Sequence, residues 1–426
     1  MKVRLKVTNR IRRLLAVYLL ITACVCYTVI SFLYFLSVVN GSKLYALIAY
    51  VPFSLMPLIL PFLLCLANAI TSVFENANNR KFVKRAGQVL DETKIVRVGI
   101  VGSYGKTSVK NILKTILSEK YEVVATPESY NTPIGIAKTV TGTDFAKKQV
   151  FIAEMGARKA GDIAELCALV KPDYAVFTGV CEQHIETFGS IENVLAEKSE
   201  ILRCGAKVVC AESLKPFVAK QENVVFASGE AVKEKTLLAT ETKFNLSLGE
   251  KEIAVSTELL GENAVENVLL AATLAYEMGL SVEEIVRGIA KIEYIPHRLQ
   301  LLKTGDAYVL DDGYNANVRG AKESLAALAR FPNKKCVVTP GIVECGILKE
   351  KINKELGEEI AKICPDLVIL VGSTLVDTVK KAYQTAGGNM ENICVVKTLQ
   401  NAQEKLVGWA DAEDCVLFLN DLPDAY

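Results

Sequence analysis

Two long stretches without a charged residue, Leu14 to Val39 and Leu44 to Phe74, dominate the first part of the chain. Each exceeds the roughly 20 residues that a helix needs to cross a bilayer. The polar break Asn40-Gly-Ser-Lys43 between them predicts a transmembrane helical hairpin. Pro52, Pro57 and Pro61 are expected to kink its second limb or make it partly re-entrant. From residue 87 the pattern changes to short apolar runs separated by helical periodicity. Val96–Val101, Val150–Ala153, Tyr174–Thr178, Lys207–Cys210 and Val224–Ala227 read as strands of a mostly parallel sheet with helices on both faces. After Arg298 a second such pattern begins, with strands at Tyr308–Asp312, Cys336–Thr339, Leu367–Val371, Ile393–Val396 and Val416–Asn420. Ala321–Arg330 and Lys349–Ile363 read as helices between them. This second part predicts a smaller Rossmann-like domain without a Gly-x-Gly-x-x-Gly fingerprint. The expected architecture is α/β: a membrane hairpin over 1–86, a central domain over 87–297 and a C-terminal domain over 298–426.

Charge orients the hairpin. Lys2, Arg4, Lys6, Arg10, Arg12 and Arg13 precede the first apolar stretch, and Arg80, Lys81, Lys84 and Arg85 follow the second. Positive charge stays on the cytoplasmic side. Both termini and all of the chain beyond Arg85 are therefore expected in the cytoplasm of a bacterial cell, anchored by a two-span segment. The first stretch is too long for the apolar core of a signal peptide. A net charge of +1 makes no case for nucleic-acid binding. The 12 cysteines include no C-x-x-C pair, which argues against a zinc ribbon and fits a reducing compartment.

The chemistry begins at Arg97-Val-Gly-Ile-Val-Gly-Ser-Tyr-Gly-Lys-Thr-Ser108. An apolar strand runs into a glycine-rich loop, and a helical pattern follows at Val109, Ile112, Leu113, Ile116 and Leu117. Gly102, Ser103, Gly105, Lys106, Thr107 and Ser108 form a loop of the kind that cradles phosphates with backbone N–H groups at a helix N-terminus. Lys106 would reach the β- and γ-phosphates, and the Thr107 hydroxyl would face Mg²⁺. The general P-loop pattern expects glycine where Ile100 stands.

Further residues fall at strand ends, where ligands sit in such sheets. Glu154 follows Val150–Ala153 and is placed to hold Mg²⁺ directly or through water. His184, one of only 2 histidines, lies in Thr178-Gly-Val-Cys-Glu-Gln-His184-Ile-Glu186 and could ligate a metal or position a phosphate. Lys198, in the helical Glu197-Lys-Ser-Glu200, reads by itself as a surface lysine.

Taken in order and spacing, these segments resemble the Mur ligases, the ATP-dependent amide-forming enzymes of bacterial cell-wall synthesis. The resemblance runs from Arg97 to the C-terminus. It is carried by Gly102-Ser-Tyr-Gly-Lys-Thr107, Glu154-Met-Gly156, Thr178 with Glu182-Gln-His184-Ile-Glu186, Phe188-Gly-Ser190, Glu197-Lys198, Asn267, Arg298 and Asp311-Asp-Gly-Tyr-Asn-Ala-Asn317. Within the family it is most similar to the ligases that add D-alanyl-D-alanine to a UDP-N-acetylmuramoyl-tripeptide.

The resemblance implies an ATP- and Mg²⁺-dependent ligase with two ions, acting on a peptidoglycan precursor, UDP- or lipid-linked, and an amino acid or dipeptide amine. It implies that Lys106 and Thr107 serve the phosphates and the first ion, and that Glu154 and His184 serve the metals. Lys198 would be carbamylated to hold the second ion. Asn267 would lie near the adenine, Arg298 would reach the phosphates, and Asp312, Tyr314 and Asn315 would close the nucleotide site. The chain departs from the family at several points. The apolar hairpin stands where the UDP-binding domain is expected, and Asn263-Ala264 where His-Asn is usual. Gly179 replaces an asparagine, and Pro340-Gly341 stands in the motif that receives the amine. A membrane-tethered polyglutamate synthase, a lipid-II-modifying relative and a nucleotide-binding scaffold that recruits cell-wall proteins are the alternatives.

Overall fold

The computed structural model describes residues 7–41, 50–181, 185–218, 221–314, 317–342 and 348–419. Glu182, His184 and Asn315 lie outside the described residues. The chain forms two compact units, Met1–Arg85 and Ala86–Tyr426.

The first unit is built from the helix Asn9–Asn40 and most of the helix Tyr50–Glu92. Both are long and apolar enough to cross a membrane. Leu19, Phe35, Phe62 and Phe74 are exposed on them. The hydroxyls of Thr22, Thr28 and Thr71 each donate to the carbonyl four residues earlier at 2.8 Å, so these polar groups are satisfied within their own helices. Arg10 and Arg13, at the start of the first helix, both pair with Glu75 at 3.0 Å. The basic ends of the two apolar stretches therefore lie together. Pro57 and Pro61 sit inside one helix that continues to Glu92. A proline removes one backbone donor, and the apolar helix formers around it carry the hydrogen-bond ladder past the gap.

Among the described residues the second unit holds three sheets. Six parallel strands, β1 (Val96–Val101), β2 (Val123–Ala125), β3 (Val150–Glu154), β4 (Tyr174–Phe177), β5 (Lys207–Ala211) and β6 (Val224–Ala227), lie in the order β2-β3-β1-β4-β5-β6. Strand β3 is buried along its whole length, as a central strand covered on both faces must be. Three antiparallel strands follow, β7 (Val232–Leu237), β8 (Thr242–Leu248) and β9 (Lys251–Thr257). In β8 every second residue, Thr242, Phe244, Leu246 and Leu248, is buried, a period-two pattern that the sequence also carries.

The C-terminal sheet has the order β10-β11-β15-β12-β13-β14. Its members are β10 (Gln300–Thr304), β11 (Ala307–Asp312), β12 (Lys335–Thr339), β13 (Leu367–Val371), β14 (Ile393–Val396) and β15 (Cys415–Leu419). Only β10 runs antiparallel to its neighbour; it forms a hairpin with β11. Leu310, Val337, Val368 and Leu417 pack one face against Leu325, Leu328, Leu356 and Ile360 from the covering helices. Strands β1 and β3 deliver their C-terminal ends to the glycine-rich loop and to Glu154, and β11 delivers Asp312 from the other domain.

Candidate active site

The glycine-rich loop takes its shape from backbone conformations closed to other residues. Gly102 has φ +155° and Gly105 φ +73°. A Cβ on Gly102 would fall 1.9 Å from Thr178 Oγ1, and one on Gly105 would fall 2.7 Å from Asn267 Oδ1. Thr178 and Asn267 thus sit directly against the loop. Gly105 precedes the helix Lys106–Leu117, whose unpaired N–H groups face the loop's interior. The Lys106 Nζ donates to the carbonyls of Gly102 at 2.8 Å and Ser103 at 3.3 Å. Burial lowers the Lys106 pKa, Glu154 opposes that shift, and Arg298 reinforces it.

Glu154 is buried at the end of β3. Its Oε2 accepts from Thr107 Oγ1 at 2.9 Å and from Lys110 Nζ at 3.0 Å, and its Oε1 accepts from Asn131 Nδ2 at 3.2 Å. Its backbone N–H donates to Thr126 Oγ1 at 3.1 Å. Lys110 also donates to the Glu128 carbonyl. A buried carboxylate is tolerable only with this degree of pairing. The sequence reading missed Lys110 and Asn131. Lys110 lies one helical turn beyond Lys106, on the same face. Among the described residues no three His, Cys, Asp or Glu side chains converge as a ready-made metal cage. One carboxylate beside a hydroxyl at a phosphate loop nevertheless suits Mg²⁺, which keeps waters and takes phosphate oxygens as further ligands.

Lys198 is not the surface lysine that its local sequence suggests. It is only 2% exposed. Burial first, then the charge of Lys106, pushes its pKa from 10.5 to about 7. The preceding Glu197 fixes this position. Its carboxylate accepts from the backbone N–H groups of Gly161 and Ile163, both at 2.7 Å, at the start of the helix Asp162–Val170. Glu197→Ala leaves those N–H groups without their acceptor and should cost roughly 2–4 kcal/mol in thermal or urea unfolding. Glu197→Gln, which keeps one carbonyl acceptor, should cost less.

The C-terminal domain forms the other wall. Arg298 lies 4.4 Å from the centre of the Tyr314 ring and donates to the Tyr314 carbonyl at 3.2 Å. Burial lowers the Arg298 pKa, against the pull of Asp312. The Tyr314 hydroxyl donates to Ser129 Oγ at 3.1 Å, across to the central domain. Asp312 accepts from Leu299 N at 3.1 Å and from Ser324 Oγ at 2.5 Å, and burial raises its pKa. His297 and Leu299, on either side of Arg298, have φ +59° and +48°, so the chain turns sharply at the domain junction. Farther off, Gly341 has φ +87°, and a Cβ there would fall 2.6 Å from Asn353 Oδ1. The buried Asn353 exchanges two 2.8 Å hydrogen bonds with the backbone of Ile342.

Lys106, Thr107, Glu154, Lys198, Asn267, Arg298, Asp312 and Tyr314 all line one cavity of about 770 Å³ between the domains. Its apolar lining includes Leu259, Leu260, Ala264, Ile295 and Leu299. Among the described residues, the buried Ser103 Oγ and Asn263 Oδ1 on its wall find no partner. A cavity of this size, with a few polar groups set in an apolar lining, suits a ligand of nucleotide dimensions.

Comparison with known proteins gives this arrangement a family. Residues 100–275 match the Mur ligase middle domain and residues 297–420 the Mur ligase glutamate ligase domain. The chain belongs to the Mur ligase family. It is 24% identical over 304 residues to the UDP-N-acetylmuramoyl-tripeptide–D-alanyl-D-alanine ligase of Borreliella burgdorferi, covering 68% of this chain and 65% of that one. To the Escherichia coli ligase of the same name it is 28% identical over 310 residues, covering 68% and 66%. The matches thus span just under two thirds of these relatives' own length. The crystal structure of MurF from Thermotoga maritima in complex with ADP superposes with a TM-score of 0.71 at 24% identity, over 80% of each chain. MurF from Acinetobacter baumannii gives 0.71 at 21% identity, over 80% of this chain and 77% of that one. The fold expected from the sequence, a parallel central sheet with a second α/β domain, is therefore shared with the Mur ligases.

Proposed function

We propose that this Mur ligase uses ATP to join an amine to a carboxylate of a peptidoglycan precursor. The carrying observation is the convergence of Lys106, Thr107, Glu154 and Lys198 from one domain with Arg298 and Asp312 from the other around a single cavity. The relatives' names favour a UDP-N-acetylmuramoyl-tripeptide as acceptor and D-alanyl-D-alanine as amine.

In this reading the loop N–H groups and Lys106 hold the phosphates, and Arg298 approaches them from the C-terminal domain. Asn267 seats the loop from above, and the unpartnered Asn263 Oδ1 is available to the amino group of a base. Glu154 and Thr107 would hold Mg²⁺, which when bound offsets charge on the transferred phosphoryl group. A second ion would call on carbamylated Lys198 together with His184. The acceptor carboxylate takes the γ-phosphoryl group to give an acyl phosphate and ADP. The amine then attacks the acyl carbon, phosphate leaves, and the amide remains. Alignment of the two substrates by the domains that flank the cavity, together with charge stabilisation, would supply most of the acceleration. The apolar helices would span the cytoplasmic membrane, with Gly41 outside and the body from Arg85 onward inside.

The reading is tested with purified protein, ATP, Mg²⁺, UDP-linked tripeptide and D-alanyl-D-alanine. Sustained ADP release should require both acceptor and amine, with no more than one ADP per enzyme formed from acceptor alone. With ¹⁸O in the acceptor carboxylate, one labelled oxygen should appear in the released phosphate. Phosphate without label would rule out the acyl phosphate. No ADP across a panel of carboxylates and amines would overturn the ligase reading.

A further inference from the structure

Tyr104 and Arg319 line the same cavity, and the chemistry above makes no use of either side chain. Tyr104 precedes Gly105 in the phosphate loop. Its phenol lies against Gly179, where a Cβ would come within 2.3 Å of the hydroxyl oxygen and φ is +134°. The Thr178 hydroxyl donates to the Tyr104 carbonyl, so the residue is fixed through backbone and ring alike. From the C-terminal domain, Arg319 sets its guanidinium carbon 4.4 Å from the centre of the Tyr104 ring. One of its nitrogens donates to the Tyr104 hydroxyl and another to Glu266 Oε2 at 2.5 Å. Glu266 lies on the helix Glu262–Glu277 of the central domain. Arg319 itself is held in the first turn of the helix Val318–Leu328, which Asn317 caps by accepting from Gly320 N at 2.9 Å.

We propose that Tyr104, Arg319 and Glu266 form a clasp that holds the C-terminal domain over the phosphate loop, and that Arg319 is thereby a positioning residue for phosphoryl transfer. A partly exposed ion pair alone would hold two domains weakly. Here one guanidinium stacks on a ring, bonds that ring's hydroxyl and pairs with a carboxylate, and each contact orients it for the others. Tyr104 is also part of the loop that carries Lys106. Domain closure and the conformation of the phosphate loop therefore share one residue, and each must bias the other. Gly179 belongs to the same device, because a side chain there would displace the phenol. The kinetic consequence rests on the nucleotide reading above; the clasp itself does not.

The test is hydrogen–deuterium exchange on the full-length protein in detergent, without substrates. Arg319→Met should raise exchange about fivefold or more in peptides covering 102–108 and 318–328, as expected when the closed population falls. The strands of both parallel sheets should stay protected, showing that the fold is retained. Arg319→Glu and Glu266→Arg should each do the same, and the double variant should recover at least half of the lost protection by rebuilding the pair in reverse. Tyr104→Phe, which keeps the ring, should fall between wild type and Arg319→Met. In turnover, Arg319→Met should raise the KM for ATP by about tenfold with a smaller change in kcat, since binding then works against opening. Unchanged exchange over 102–108 in Arg319→Met, or a double variant no better protected than the singles, would overturn the clasp. A clasp that passes in a protein with no ATP turnover on any substrate pair would stand while the ligase reading fell.

Discussion

Lys106→Ala should lower acceptor-dependent ADP release by about a thousandfold, the loss expected when a positioned charge donor is removed from a developing negative charge. The fold should survive, because among the described residues the Nζ bonds to the Gly102 and Ser103 carbonyls of its own loop. Those carbonyls border the cavity and can take water when the ammonium is gone. Thermal unfolding should therefore move little, well within the range of ordinary surface substitutions. Lys106→Arg should not restore turnover. A planar fork on a longer stem cannot occupy the place of a compact ammonium beside Glu154 and Arg298. ADP release at wild-type rate in Lys106→Ala would remove the phosphate-loop chemistry from the account.

Lys198 should give the second large effect, and one with a pH signature. With a pKa of about 7, roughly half of its amine is uncharged at neutral pH, the form that combines with CO₂ to give a carbamate and a proton. Lys198→Ala should lose about a hundredfold or more of the activity, and added short carboxylates should restore part of it by supplying the missing anion. In the wild type, activity should fall as pH drops through 7 and the ammonium accumulates, and should fall when CO₂ is stripped from the buffer. Stability should report the same group with a fixed sign. The folded pKa lies below the ordinary 10.5, so between the two values the unfolded chain binds more protons and stability rises with pH. The cost of burying the ammonium is present in full below about 7 and is gone above 10.5. Lys198→Met should therefore raise the melting temperature most at pH 6 and progressively less toward pH 10, with CO₂ removed from all samples. A constant difference across that range would mean that Lys198 is not buried as a strained cation. Full activity in Lys198→Ala without added carboxylate would exclude the carbamate.

Features that repeat at short range were legible in the sequence. The described part of each uncharged stretch lies in a long apolar helix, because length and the lack of charge are local properties. The strand–loop–helix at 96–117 is written in an apolar run, glycines at positive φ and a 3.6-residue period, all within one segment. The parallel strands came out within a residue or two for the same reason, whereas three-residue β2 and the exposed β7, β9 and β10 carry too little apolar pattern to register. Burial of charge was not legible, since it depends on partners far along the chain. Thr107 meets Glu154 across 47 positions, and Arg319 meets Tyr104 across 215. Lys110 and Lys198 both look like solvated helix lysines, because a helical period places a residue on a face without saying what covers that face. Only the packing of β3 and its neighbours around Lys110, and of the Glu197-capped helix beside Lys198, decides that one becomes the buried partner of a carboxylate and the other an amine held near neutrality.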